Sequence, residues 1–337
     1  MNKRVAIIVG GTGQFGISIA KLLLKKSYKI IITTRNLKKK INLKDKNLKI
    51  NKLNIYNKNQ IKNFFKKNNP YIIFFLAGQS SPVKSFKSKK ETYKSNFLGC
   101  KKILEVIKNE KINCKFLNAA SSEMFGKING KIKITSPQKP TNPYGYAKLK
   151  SFEITKKYRL KNNLKTYNAI IFNTESYLRE KNYLIPKICM AAIKAKKYGT
   201  KTEFGNINMS REWNWCDEQS KYLLKFLNKE PQDFILSNGK NYSIIQMLKY
   251  AFNYFSLDYL KYTSSNQKYF RIKDIKHKHS DHINCLKRNK IKLMKKTCIV
   301  TGGSSGIGLS IVELFLANNY QVFNLDIKPS VQGVFYA

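Results

Sequence analysis

The stretch Val5-Ala6-Ile7-Ile8-Val9-Gly10-Gly11-Thr12-Gly13-Gln14-Phe15-Gly16 decides the fold class. Its first five residues form an unbroken apolar run, the pattern of a strand covered on both faces in a parallel sheet. Glycines at 10, 11, 13 and 16 follow at once, and Ile17 to Lys26 carries apolar residues at helical spacing. Strand, glycine-rich turn and helix in that order let a backbone approach a pyrophosphate at a helix N-terminus. A glycine-rich turn alone is a weak signal; its place between strand and helix makes dinucleotide binding the expected role. Gly10, Thr12, Gly13, Gln14, Phe15 and Gly16 are therefore candidate cofactor contacts.

Working outward, the same alternation continues. A second strand, Lys29 to Thr33, ends in Thr34-Arg35, where an NAD-selective site would carry an acid. Arginine there suits a 2′-phosphate, so NADP is the expected cofactor, although Arg35 sits among many surface cations. A third strand precedes Leu53-Asn54-Ile55, and a helix over Asn59 to Lys67 leads to the apolar run Tyr71 to Leu76. Leu76, Ala77 and Gln79 close that strand and should lie beside the cofactor. A long helix reaches Lys108, Lys115 to Leu117 is another strand ending at Asn118-Ala119, and Thr166 to Phe172 is one more. Strands alternating with helices predict an α/β Rossmann-type doubly wound parallel sheet.

The chemistry is expected where parallel strands end. There the chain places Ser121, Ser122 and Glu123. Tyr144 and Lys148 follow at the start of a helical pattern from Tyr146 to Arg159, and their i, i+4 spacing puts both on one helix face. An ammonium beside a phenol favours the phenolate, so Lys148 is expected to lower the pKa of Tyr144 and make it a base.

These residues also carry a resemblance. Gly10-Gly11-Thr12-Gly13-Gln14-Phe15-Gly16, Leu76-Ala77-Gly78-Gln79-Ser80, Ser121-Ser122-Glu123-Met124-Phe125-Gly126, Pro143-Tyr144 with Lys148, Phe172-Asn173 with Glu175-Ser176, and Gly205-Asn206 with Arg211-Glu212-Trp213 stand in the order found in extended short-chain dehydrogenase/reductases. Within that group the chain is most similar to the GDP-mannose 4,6-dehydratases, over about residues 3 to 285. The resemblance implies catalytic roles for Ser121, Glu123, Tyr144 and Lys148. It implies cofactor contacts at Asn54 and Ile55, with Asn54 standing where the family usually has Asp. Asn96 would be a structural residue on the cofactor side. Ser80, Ser81, Asn173, Lys187 and Arg211 would hold substrate, with Arg179 at a further matching position. The segment departs from the family pattern at Thr174-Glu175-Ser176 and Tyr177-Leu178-Arg179, in place of His-Glu-Ser and Pro-Arg-Arg, and at Glu212 after Arg211. Those changes bear on sugar and nucleotide specificity more than on the chemistry.

By the same resemblance, a nucleotide-diphosphate sugar is the substrate, bound NADP runs an internal redox cycle, and the protein is a homo-oligomer, a dimer or tetramer. The product would be a 4-keto-6-deoxy sugar. Glu123 is the discriminating residue, because epimerisation or simple reduction needs the tyrosine but no elimination base. Some related epimerases and decarboxylases also carry Ser-Glu there, so a nucleotide-sugar epimerase or reductase is the alternative. A noncatalytic NADP-binding sensor is the alternative of another class; the complete Ser121, Tyr144 and Lys148 set argues against it.

Composition bounds the rest. The chain has 337 residues, enough for one large or two modest domains. Lys+Arg number 65 against 19 Asp+Glu, a net charge of +46, but the lysines are spread along the whole chain instead of forming one arm or face. Nucleic acid is therefore not an expected partner. Six cysteines show no paired spacing, and no signal peptide or long apolar span is apparent, so a soluble, cytoplasmic protein with reduced thiols is expected. His277, His279, His282 and Cys285 have a spacing that could suit zinc, but lysines at 273, 276, 278 and 287 would repel a dication, so no metal is expected. The expected domains are a Rossmann domain over 1–172 with later return elements, a shortened substrate domain over 173–293, and a tail over 294–337. The tail, with Gly302-Gly303-Ser304-Ser305-Gly306-Ile307-Gly308 and Asp326, resembles the first β-α-β of a second, shorter dehydrogenase. It lacks a Tyr-x-x-x-Lys of its own and is expected to be inactive.

Overall fold

The computed structural model describes residues 3–37, 41–181, 183–270, 279–291, 296–301, 310, 313, 320–325 and 335–336. Seven strands form its central sheet: β1 (Val5–Val9), β2 (Lys29–Thr34), β3 (Leu48–Lys52), β4 (Ile72–Phe75), β5 (Lys115–Ser121), β6 (Thr166–Ile171) and β7 (Asp233–Leu236). The order is β7-β6-β5-β4-β1-β2-β3, with every neighbouring pair parallel. The chain runs outward from β1 to β3, then returns to lay β4 on the other side of β1. At that reversal the connections leave in opposite directions and a crevice opens beyond the carboxyl ends.

The longer helices over 14–162 are α1 (Gln14–Leu24), α2 (Lys58–Asn68), α3 (Gly99–Asn109) and α4 (Pro143–Asn162). Gly13, in an extended conformation, is the N-cap of α1, which therefore begins three residues before the apolar periodicity. Asn57 caps α2 through a bond from Gln60 N–H, and Asn142 caps α4 with Pro143 in its first turn. Asn96 lies in a π-turn, Lys94–Leu98, that runs directly into α3. One core cluster joins Ile7, Ile31, Phe65, Ile73, Phe75, Ile103, Ile107 and Phe116, so α2 and α3 cover a single face of the sheet. Each such side chain contributes roughly 1.5–3 kcal/mol by burial.

A polar connection crosses the other end of the sheet. Asn118 Nδ2 on β5 donates to Asn168 Oδ1 on β6 at 2.9 Å, and Asn168 Nδ2 donates to Asp233 Oδ1 on β7 at 2.9 Å. Arg159 of α4 closes it with a 2.7 Å ion pair to Asp233. Asn118 and Asn168 are fully buried, so losing one partner would strand another without water.

The smaller lobe carries α5 (Leu184–Tyr198), α6 (Cys216–Phe226) and α7 (Ile244–Asn253). Ala191, Ala192 and Ala195 of α5 let Leu248 and Phe252 of α7 pack close. Ser18 of α1 donates to Asp217 of α6 at 2.5 Å. Two short pairings reach the crevice: Ser210–Glu212 with Asn241–Ser243, and Thr174–Glu175 with Asn214–Trp215.

The chain divides into two units, residues 1–285 and 286–337. In the second, strands Lys296–Thr301, Tyr320–Leu325 and Phe335–Tyr336 are parallel, and the first two coincide with the strands expected of the tail. Its glycine-rich turn and Asp326 lie outside the described residues, as do His277 and lysines 273, 276 and 278. Among the described residues no helix is long and apolar enough to cross a membrane, and the described cysteines are free thiols.

Candidate active site

A cleft of about 850 Å³ opens at the carboxyl ends of the strands, over the β1/β4 reversal. Its floor is the glycine-rich turn. Gly10 has φ +75°, and a Cβ there would lie 2.5 Å from Ala77 Cα; at Gly16 a Cβ would lie 2.2 Å from the Gly11 carbonyl oxygen. Neither position can carry a side chain without moving backbone. A Cβ on Gly13 would instead meet nothing within 4 Å, and no side chain caps the N-terminus of α1. That open, donor-rich helix end fits a pyrophosphate. Gln14 fastens the turn to the opposite wall, donating to Thr174 O at 2.9 Å and accepting from Ser176 Oγ at 2.8 Å.

The candidate reacting groups converge from β5, the turn after it and α4. Ser121, Glu123, Tyr144 and Lys148 all line the cleft. Lys148 is 6% exposed; its Nζ donates to Ala119 O at 2.7 Å and lies 5.8 Å from the centre of the Tyr144 ring. Ser121 hydrogen-bonds the Tyr144 phenol, and its Oγ also accepts from Glu123 N–H at 3.3 Å. Asn142, the α4 cap, donates its side-chain amide to Glu123 Oε2 at 2.8 Å, so one residue both starts the Tyr144 helix and aims Glu123.

The electrostatics differ from the expectation for Tyr144. Burial pushes its phenol up to about 12; the Ser121 hydrogen bond and the Arg179 charge oppose this, while Glu123 reinforces it. Burial also pushes the Lys148 ammonium down to about 8. The enclosure that brings the pair together disfavours the charge on both, and Lys148 spends its hydrogen bond on Ala119. Across the cleft Glu175 is 8% exposed, and burial raises its carboxyl to about 7 against the pull of Arg179. Its Oε2 lies 3.6 Å from Arg179 Nε without a hydrogen bond. The Arg179 guanidinium stacks 3.7 Å over the Tyr183 ring, and Tyr183 OH is 3.3 Å from Ser80 Oγ.

Of the residues picked from sequence, Thr12, Phe15, Arg35, Ile55, Leu76, Ala77, Gln79, Ser80, Asn173 and Arg211 also line the cleft. Arg35 pairs with Glu91 at 2.7 Å. Three do not line it. Asn54 points away and accepts from Tyr56 N–H at 3.0 Å, closing a local turn, while Leu53 and Ile55 beside it face the cleft. Ser81 caps the short helix Pro82–Lys87. Lys187 donates to Glu203 O at 2.6 Å and lies over the Phe204 and Tyr269 rings, which hold its charge in the smaller lobe. The two described histidines stand apart: His279 faces Glu212, while His282 lies against Ile235 O and Tyr222, and its burial lowers its pKa against the Ile235 hydrogen bond.

Asn142 could have been found from Asn-Pro at a helix start. Nothing in the sequence signals Tyr183 or the Gln14 bridge.

The sequence model of the family described as GDP-mannose 4,6 dehydratase matches residues 7–292, which include every cleft residue named above. The chain belongs to this family. Among curated relatives, GDP-mannose 4,6 dehydratase 2 of Arabidopsis thaliana is 27% identical over 293 residues, covering 80% of this chain and 77% of that protein. GDP-mannose 4,6-dehydratase of Vibrio cholerae is 29% identical over 264 residues, covering 74% and 71%. Among solved structures, a dTDP-glucose 4,6-dehydratase from Streptomyces venezuelae with NAD and TYD bound superposes with TM-score 0.76 at 15% identity, covering 94% of this chain and 97% of that one. That likeness shows the shared fold.

Proposed function

We propose that this chain dehydrates GDP-mannose to the 4-keto-6-deoxy sugar with a tightly held nicotinamide dinucleotide, and that Arg35 makes the cofactor NADP. The observation that carries the reading is the convergence of Ser121, Glu123, Tyr144 and Lys148 on one cleft floored by a glycine-rich turn, with Glu123 aimed by the cap of the Tyr144 helix. When bound, an oxidised nicotinamide would supply a positive charge that opposes the burial cost of the phenolate, and a place to hold the C4 hydride until it is delivered to C6. Tyr144 then accepts the 4-hydroxyl proton, and Ser121 holds that oxygen. The resulting ketone acidifies C5. Glu123 takes the C5 proton and passes one to the departing 6-hydroxyl, which leaves as water. Once C6 has received the hydride taken from C4, Tyr144 gives its proton to C5, so the residues end as they began.

Lys148 orients this group from the Ala119 carbonyl. Asn173, Arg179 and Arg211, all lining the cleft, supply donors suited to a diphosphate. Residues 1–172 with β7 form the dinucleotide half of the active unit, and residues 173–285 its substrate half.

Incubation of the purified protein with GDP-mannose, without added reduced cofactor, should yield a product lighter by one water in mass spectrometry. A product of unchanged mass and altered stereochemistry would replace the dehydratase reading with epimerisation.

A further inference from the structure

Glu212 is 1% exposed, yet its two neighbours, Arg211 and Trp213, both line the cleft. In an extended strand alternate side chains face opposite ways, so Glu212 reaches behind the wall that Arg211 and Trp213 present. There it is met by four donors from two distant segments. Its Oε1 accepts from Ser280 N–H at 2.5 Å. Its Oε2 accepts from Ser280 Oγ at 2.7 Å, from Gly239 N–H at 3.2 Å and from the Ser237 hydroxyl. His279 Nε2 stands 3.9 Å from Oε1. A carboxylate this deep is tolerated only when its lone pairs are filled, and these donors fill them.

The network extends past the carboxylate. Ser237 Oγ also accepts from Asn214 Nδ2 at 3.3 Å, and the same amide donates to the backbone oxygen of Asn173 at 2.8 Å. Asn173 and Arg211 are thus tied, one through Ser237 and Asn214 and the other by direct chain linkage, to the same buried anion. None of these contacts touches the glycine-rich turn.

We propose that Glu212 is a positioning residue for the substrate wall, fixing Arg211 and Asn173 for the nucleotide sugar while leaving cofactor binding alone. This rests on the GDP-mannose reading above. An amide in place of the carboxylate turns an NH₂ group toward donors, breaking the nest at nearly constant volume.

The test compares wild type, Glu212→Gln, Arg211→Ala and the double variant. It reads GDP-mannose affinity by calorimetry, KM and kcat by turnover, and retained cofactor by absorbance. Glu212→Gln should weaken affinity and raise KM by about 10- to 100-fold, with kcat changed less than about threefold and full cofactor retention. In the Arg211→Ala background the same substitution should cost several-fold less. Ser280→Ala, a milder change that removes one hydroxyl donor, should move KM the same way by a few-fold and serves if Glu212→Gln does not fold. Unchanged affinity in Glu212→Gln, cofactor loss alongside substrate loss, or a full additive effect in the double variant would each overturn the proposal. Wild-type binding without turnover would sink the dehydratase reading alone, and the cycle would then be read in affinity. No GDP-mannose binding by the wild type would overturn both.

Discussion

The two sides of the cleft are held by different means. The cofactor side is a single run, β1, turn and α1, whose geometry follows from missing side chains and backbone packing at Gly10 and Gly16. The opposite wall, where substrate is proposed to bind, is assembled from residues 173–181, 183, 211–214, 237–239 and 280, and buried hydrogen bonds link Glu212, Ser237, Asn214, Asn173 and Ser280 within it. The first tolerates little at its glycines but depends on little else. If Glu212 positions that wall as proposed, the second would lose its grip on substrate through one side chain behind the wall, without disturbing the cofactor. Tyr144, Glu123 and Lys148 stand between, and burial disfavours the charged forms of Tyr144 and Lys148.

Five outcomes would break or sharpen this contrast. Tyr144→Phe should lower turnover of GDP-mannose by about 10³-fold or more with cofactor still bound; ordinary turnover would remove the phenol from the mechanism. Glu123→Gln should cost about 10²- to 10⁴-fold in loss of water while sparing cofactor binding, measured by the mass of the product. Gly16→Val should leave purified protein without cofactor or insoluble, because its Cβ meets the Gly11 carbonyl; a variant that keeps cofactor would show that the turn can yield.

Glu175 gives a pH test. Its carboxyl titrates near 7 in the fold against an ordinary 4.5, so between those values the folded chain holds a proton the unfolded chain has released. Stability should therefore fall as pH rises from about 4.5 to about 7 and stay lower above. Glu175→Gln should gain on the order of 1–3 kcal/mol at pH 8 and nothing near pH 4 in denaturant melts; an equal change at both would exclude the buried titration. The smallest effect belongs to Arg35→Ala, which should weaken NADP about tenfold and leave NAD unchanged, read by fluorescence titration.

Much of the cofactor side was legible because its signals are local. The strand ending at Val9, the glycines after it and the i, i+4 spacing of Tyr144 and Lys148 need only a few consecutive residues to be read. The strands up to β6 followed from alternation, but β7 joins from more than 60 residues further on, and no periodicity announces it. The family resemblance reached the substrate side by position, and the structure brings only some of those residues to the cleft. Asn173 and Arg211 line the cleft, whereas Lys187 is drawn to Glu203 O and two aromatic rings, and Ser81 and Asn54 serve local turns. Short polar residues have two uses, capping and binding, and sequence alone does not separate them.

By itself, then, the sequence determined the doubly wound parallel sheet and the glycine-rich turn, and it singled out Ser121, Glu123, Tyr144 and Lys148, which share one cleft, since strand runs, glycine spacing and helical offsets act over short range. Only the tertiary structure decided their charge and support. A phenol at about 12 and an ammonium at about 8 follow from burial among β5, α4 and the opposite wall, and the anchor at Glu212 exists because segments near 212, 237 and 280 meet. Desolvation and hydrogen-bond closure depend on what lies nearby in space, and no pattern along the chain records that.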